Sequence, residues 1–289
     1  MNWVDAFVQG LLLGGLYAQY AIGMALMFGV MRIVNIAHGD LVILLGLIGI
    51  AIAASTGAGS GLVALLLMPL GAVIGWLLQR GILNRVVGAD PLPSLIATFG
   101  LSIALQNLML QIWSADPRSM SAGPIATMSI PVGPIYAGVL PAIIFMSALI
   151  LTAGLHGLLR HTSFGRALRA AAADRDAAAL SGVDTKGAYA IATAIAVAIL
   201  GLAAVFQATR TTIAPADGGS QLLFAFESVI IGGMGSIWGA FLGAMVLGVA
   251  QVVGSRMDPG WGILVGHIVF LVVLATRPQG LAANARGSV

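Results

Sequence analysis

Long apolar runs separated by short polar breaks dominate this chain. A run of about 20 apolar residues is enough to cross a bilayer as a helix, and a helix pairs all of its own backbone polar groups. The predicted spans are 6–29, 41–56, 61–79, 94–113, 138–158, 188–208, 237–253 and 260–276. A further apolar segment, 222–233, is too short to cross alone without tilt or a partner. The pattern predicts an all-α polytopic membrane protein with about eight full spans plus one short or broken segment, in a single domain over residues 1–289.

Composition supports the membrane assignment and excludes several other classes. The 289 residues are 59% hydrophobic and only 8% charged, whereas a soluble domain has about a quarter charged residues. The 39 glycines suit close helix packing in lipid. The chain has no cysteine, so it has no disulfide framework, thiolate metal site or cysteine nucleophile.

The segment 160–187 interrupts the apolar pattern with charge. It contains five of the 13 Lys and Arg residues and three of the 10 acids. Basic loops stay in the cytoplasm, so we expect this loop inside and the N-terminus outside. A cytoplasmic C-terminus at Arg277 then requires the short segment 222–233 to descend through the membrane, with the turn 232–236 on the inner side.

One part of this charged loop, 174–182, is predicted to be a separate helix. Helical spacing places Ala173, Ala177 and Leu180 on one face, and Gly182 supplies a stop at the C-terminal end. An Ala-rich helix of this kind packs against a partner groove. The alternative is a solvated hairpin that only connects two spans, and the physical chemistry of the residues leaves both open.

Several motifs resemble known permeases. Asp176-Ala177-Ala178 followed by Gly182 resembles the EAA-type loop of ABC importer permeases, which docks on the ATPase subunit. Five further segments, in the same order along the chain, resemble LivH-type permeases of branched-chain amino-acid ABC importers. They are GLLLGGLYAQYAIGMALMFGVMRIVNIAHGD (10–40), TFGLS (98–102), SFGRALRA (163–170), FESVIIGGMGSIWGA (226–240) and RPQGL (277–281).

The resemblance implies the ABC importer permease fold, in a bacterial inner membrane, for branched-chain amino acids. It implies a second, LivM-like permease, two ATP-binding subunits and an extracytoplasmic substrate-binding protein as partners, with no cofactor and no nucleic acid. The residues that it assigns to ATPase coupling are Arg166, Arg169, Asp174, Arg175, Asp176, Ala177, Ala178 and Gly182. Asp stands at 40 and 176 where Glu is usual, which leaves urea, short amides or other amino acids open as substrates.

Six polar residues lie within or beside the predicted spans and are candidates for the pathway or its gate. They are Asn35, His38, Asp40, Gln106, Asn107 and Glu227. Polar groups at membrane depth usually face a cavity or a partner. The alternatives are an interfacial loop for 35–40, hydrogen bonds between helices for 106 and 107, and a helix cap in the outer headgroup layer for Glu227. As a gate, Glu227 would lie near Arg210.

Other function classes find less support. The chain has no Gly-x-x-x-x-Gly-Lys-Ser/Thr loop and its sole lysine is Lys186, so it does not hydrolyse ATP in the usual way. His156 and His161 are five residues apart and have no nearby carboxylate, so we expect no metal site and no catalytic residues. The lone His267 is expected to hydrogen-bond between helices. A stand-alone secondary transporter would need coupling acids within its spans, and only Asp40 and Glu227 are candidates.

Overall fold

The computed structural model describes residues 3–88, 90–132 and 135–282. Helices account for most of them, as the apolar pattern predicts. In chain order the helices are α1 (Trp3–Met31), α2 (His38–Thr56), α3 (Ser60–Leu78), α4 (Asn84–Val86), α5 (Leu92–Trp113), α6 (Val139–His161), α7 (Ser163–Ala173), α8 (Arg175–Leu180), α9 (Thr185–Arg210), α10 (Gly218–Gly232), α11 (Ile237–Met257) and α12 (Gly262–Thr276). The all-α polytopic class is confirmed.

Seven helices of the described part are long and apolar enough to cross a membrane. One of them combines α3, a π-helical turn at Gln79–Leu83 and α4 into the continuous span Ser60–Val86. The predicted span at 260–276 corresponds to α12, which has only 15 residues. The connection between α5 and α6 contains an unpredicted antiparallel hairpin of two short strands, β1 (Ser129–Val132) and β2 (Ile135–Gly138).

Helices α1 and α9 form the centre of the bundle, and α5 lies at its edge. In the most apolar stretch of each helix, 78% of α1 and 67% of α9 is buried, against 11% of α5. Glycines let α3 and α9 approach closely. A Cβ atom added at Gly71 would lie 2.5 Å from the Val197 carbonyl oxygen.

Close contacts between neighbouring helices show which ends share a side of the bundle. Gly29 and Gly235 meet where α1 ends and α11 begins, and the Leu281 N–H donates to the Ile231 carbonyl beside the end of α10 (2.8 Å). Because α9 runs antiparallel to α1, its first residues and the preceding α7 and α8 lie on this same side. We call it the loop side. The end of the described chain therefore lies on the same side as α7 and α8.

The chain re-enters the bundle between α1 and α2. Arg32 has a φ of +53°, and residues 32–37 are not helical. The His38 Nε2 atom lies 2.9 Å from the Tyr20 carbonyl oxygen. Tyr20 is eleven residues before the end of α1, or about 16 Å along the helix axis. Tyr20 is close to the midpoint of this 29-residue apolar helix, so α2 begins beside the middle of α1, where the middle of the membrane is expected.

Helix α10 begins at the same depth and runs back to the loop side. Its first residue packs on α2 so tightly that a Cβ at Gly39 would clash with the Gly218 carbonyl and lie 2.6 Å from the Leu222 nitrogen. Fifteen residues later α10 ends at Gly232. The turn that follows contains Gly233 and Gly235, both at positive φ. The predicted short segment with a turn at 232–236 is confirmed, although the helix starts four residues earlier than predicted.

Candidate functional site

The starts of α2 and α10 meet around Asp40, which is 2% exposed. Its Oδ2 atom accepts a hydrogen bond from the Ser102 hydroxyl (2.5 Å), and its Oδ1 atom accepts a longer one from the Gln106 amide (3.4 Å). Ser102 and Gln106 share a face of α5 because they are four residues apart. The structure thus brings two predicted residues, Asp40 and Gln106, together across two helices.

Ser102 was not among the predicted site residues. A signal for it existed, because four polar residues recur every four positions along α5. They are Ser94, Thr98, Ser102 and Gln106. Such spacing places all four on one face of the helix.

Asn35 and His38 shape the re-entrant segment itself. Each is 1% exposed. The Asn35 Oδ1 atom accepts from the Ala37 N–H (3.1 Å), and the His38 ring donates from Nε2 to the Tyr20 carbonyl. Asn35 Nδ2 and His38 Nδ1 are buried without a hydrogen-bond partner among the described residues. The interfacial-loop interpretation is therefore wrong for this segment, since its polar residues Asn35, His38 and Asp40 are buried beside the middle of α1.

Asn107 does not join this group. It is exposed, and its Nδ2 donates to the Ile103 carbonyl of its own helix (2.8 Å). Adjacent residues on a helix point about 100° apart. Gln106 and Asn107 therefore lie on different faces of α5.

Glu227 lies inside α10, nine residues after its start, and is 1% exposed. Its Oε1 atom lies 2.5 Å from His267 Nδ1 of α12. The interpretation of Glu227 as a cap in the outer headgroup layer is wrong, and its ion-pair partner is His267 rather than Arg210. The expected interhelical role of His267 is confirmed. Beside this pair, the Tyr17 hydroxyl donates to Gln251 (2.6 Å) and joins α1 to α11.

The charged loop folds into two short helices separated at Asp174. The Asp174 carboxylate caps α8 by accepting from the Asp176 and Ala177 N–H groups (2.9 and 3.0 Å). At the other end Gly182 has a φ of +85°, and the Val183 N–H bonds to the Ala178 carbonyl (3.0 Å). This is the usual glycine-terminated helix end. The predicted helix at 174–182 is confirmed.

The predicted coupling residues divide into exposed and internally bonded groups. The exposed ones are Arg166, Asp174, Asp176, Ala177 and Gly182, although the Asp174 carboxylate also caps α8. The others serve the loop's own structure, as the buried Ala178, the Arg169 bond to the Leu159 carbonyl and the Arg175 bond to the Val87 carbonyl (2.8 Å).

Leu180, at the end of α8, was not predicted as a site residue. Its side chain is 91% exposed, more than any other large hydrophobic residue that the structure describes. It lies on a loop outside the apolar spans, so lipid contact does not explain its exposure. A large apolar side chain left open on a polar loop is typical of a protein-binding surface.

Seven helices long and apolar enough to cross a membrane, together with an exposed charged loop, define a polytopic α-helical membrane protein. The family described as the branched-chain amino acid transport system permease component matches residues 6–274. This chain therefore belongs to that family.

Two of the relatives named here match over nearly the whole chain, and a third matches over about half of it. The chain is 28% identical to the high-affinity branched-chain amino acid transport system permease protein BraD of Pseudomonas aeruginosa, over 97% of this chain and 95% of the relative. It is 29% identical to the corresponding protein LivH of Escherichia coli, over 97% and 96%. A probable LivH of Methanocaldococcus jannaschii is 27% identical over 48% of each chain. No solved structure matches the chain.

Proposed function

We propose that this chain is the transmembrane permease subunit of an ATP-driven ABC importer for branched-chain or related amino acids. The family membership supports this function, and so do the names of relatives that align over nearly the whole chain. ATP is hydrolysed by separate partner subunits. The chain itself is a non-catalytic membrane component.

The observation that carries the proposal is the exposed surface of α8. Its Leu180, Asp176 and Ala177 are open on the loop side, and they give an ATP-binding subunit an apolar anchor beside a charge. The helix is held firmly by the Asp174 cap and the Gly182 stop. A rigid, exposed helix of this kind is suited to transmit movement from a partner.

The internal bonds of the loop extend this argument to the membrane site. Arg175 in α8 donates to the Val87 carbonyl in the connection between α4 and α5. Helix α5 in turn carries Ser102 and Gln106, which bond to Asp40. Movement of α8 would therefore reach the Asp40 junction through one continuous set of contacts.

The assembly that we propose has a second permease, which is LivM-like, two ATP-binding subunits and an extracytoplasmic substrate-binding protein. The chain spans a bacterial inner membrane with its N-terminus outside. Its C-terminus and the loop side face the cytoplasm. The basic residues at 160–187 support this orientation through the positive-inside rule, and the C-terminal segment lies on that same side of the bundle.

Purification and transport measurements test the proposal. The solubilised chain is expected to co-purify with two ATP-binding subunits and a second permease, and the reconstituted complex to take up leucine only with ATP. An Asp176→Lys variant should insert normally but recover less ATPase, because it reverses an exposed charge on α8. Lys186→Ala, an exposed change on the same loop, serves as the control. Ion-driven uptake by the purified chain alone would contradict the proposal.

A further inference from the structure

Asp40 is a carboxylate near mid-membrane that lacks a positive partner. Among the described residues, the only contact of salt-bridge geometry joins His267 and Glu227. Ser102 and Gln106 hold the Asp40 oxygens, but both are neutral and do not balance its charge. An intramembrane carboxylate is costly and usually marks a substrate or ion site. A transported cation that binds to Asp40 and is then released would balance this charge.

Two more buried polar atoms in the same segment lack partners. They are Asn35 Nδ2 and His38 Nδ1, both within five residues of Asp40. A buried polar atom without a hydrogen bond costs about 1–3 kcal/mol. Two unpartnered polar atoms and a carboxylate without a positive partner therefore lie within six residues, which marks this segment as more than a structural connection.

The surface beside Asp40 is open and cannot face lipid. Gly218 is packed directly against the Asp40 carboxylate, whereas Ala216, Gly219 and Ser220 beside it are exposed. A Cβ at Gly219 would meet no other atom within 4 Å. Here a 3-10 turn, Pro215–Asp217, gives way to α10. Irregular backbone at membrane depth is tolerated only when protein covers it or when it lines a water-filled cavity.

We propose that Asp40 receives the ammonium group of an amino-acid substrate, and that the face formed by 216–220 and the Ser102–Gln106 side of α5 lines the pathway against the second permease. This rests on the proposed function. The ammonium group of an amino acid would supply the positive charge that Asp40 lacks. When the amino acid moves on through the pathway, Asp40 is free to bind the next one. The two neutral donors keep the carboxylate turned toward the arriving ammonium group.

The pathway part can be tested by thiol labelling, because the chain contains no native cysteine. Ser220→Cys and Ile150→Cys variants of the full transporter are compared in proteoliposomes with a membrane-impermeant, water-soluble thiol reagent. Ile150 is 66% exposed at the middle of α6. The Ser220→Cys variant should react with the reagent at least tenfold faster than the Ile150→Cys variant. Added leucine should slow the reaction at Ser220→Cys. Equal, slow reaction at both positions would overturn the pathway assignment.

The ammonium part is tested on the same labelled variant with two ligands. L-leucine should protect Ser220→Cys, whereas its 2-hydroxy analogue, in which a hydroxyl replaces the ammonium group, should protect at least tenfold less. Equal protection by the two compounds would show that the ammonium group is not recognised. This measurement leaves Asp40 unchanged and does not depend on the stability of an Asp40 variant.

Asp40→Asn separates charge from hydrogen bonding. The amide can still bond to Ser102 and Gln106 but has lost the charge. We expect Asp40→Asn to take up leucine at least tenfold more slowly while recovering normal amounts of the ATP-binding subunits. The Ser102→Ala variant keeps the charge of Asp40, so its leucine uptake should fall severalfold at most. Wild-type uptake by Asp40→Asn would show that Asp40 is only a link between helices. Failure of the wild-type chain to recover ATP-binding subunits would instead refute the proposed function.

Discussion

Leu180 provides the most direct quantitative prediction for partner binding. Its side chain is 91% exposed in the isolated chain, so nearly all of its apolar surface remains available to a partner. Complete burial of a leucine contributes about 1.5–3 kcal/mol. A Leu180→Ser variant removes most of this contribution. The dissociation constant for the ATP-binding subunit should therefore rise about tenfold to 150-fold.

The assay is a titration of labelled ATP-binding subunits into the permease complex held in lipid discs. Leu180→Met is the matched control, because it conserves volume and apolar character and should change the affinity little. Hydrogen exchange across 175–180 checks that α8 stays helical in both variants. A dissociation constant within twofold of wild type for Leu180→Ser, with α8 intact, would refute the assignment of Leu180 to the interface.

Two further predictions concern the packing that supports the site. Gly71→Ala would bring a Cβ to 2.5 Å from the Val197 carbonyl and should destabilise the chain by about 1–3 kcal/mol. Its control is Gly154→Ala, at an open position, which should be neutral or up to about 1 kcal/mol stabilising. Equal melting temperatures of the two variants in detergent would contradict this prediction. Thr193→Val removes the 2.7 Å hydrogen bond to buried Gln79 and should cost about 1–3 kcal/mol, whereas an unchanged melting temperature would show that this bond contributes nothing.

The order of the spans was predictable because apolar run length alone decides whether a helix can cross a bilayer. The predicted and observed spans agree throughout in order. The polar ends of helices were harder to place. Helix α5, for example, begins at Leu92 rather than 94, and α9 at Thr185 rather than 188. Such ends depend on caps and loop contacts that hydropathy does not measure.

The helix at 174–182 was predictable for a local reason. An Asp cap and a glycine stop act within a few residues, so both leave a sequence signal. The exposure of Leu180 has no such signal. It depends on how α8 sits against the α4–α5 connection, where Arg175 bonds to the Val87 carbonyl. Tertiary contacts also explain why two arginines are not exposed as their charge suggested: Arg175 bonds to the Val87 carbonyl and Arg169 to the Leu159 carbonyl.

The position of Glu227 was predicted wrongly because the start of its helix was placed from the apolar residues alone. The apolar stretch 222–233 suggested a start at Leu222, which put Glu227 close to the helix end, whereas α10 begins at Gly218. The four residues before the apolar stretch are polar or glycine, and hydropathy assigned them to a loop. Their place inside the bundle depends on the close packing of Gly218 against Gly39. Because the helix starts at this contact, Glu227 lies in the interior of α10, buried beside His267, and not at a helix end.

The depth of Asp40 depends on contacts that no local pattern records. In sequence, residues 32–40 are a polar break after a complete span, which is how an interfacial loop also looks. The contact between His38 and the Tyr20 carbonyl places the break near mid-membrane instead. A carboxylate in the headgroup layer would be hydrated and would need no partner. At this depth a charged carboxylate is costly, so the same residue changes from an incidental loop acid to a candidate for contact with substrate.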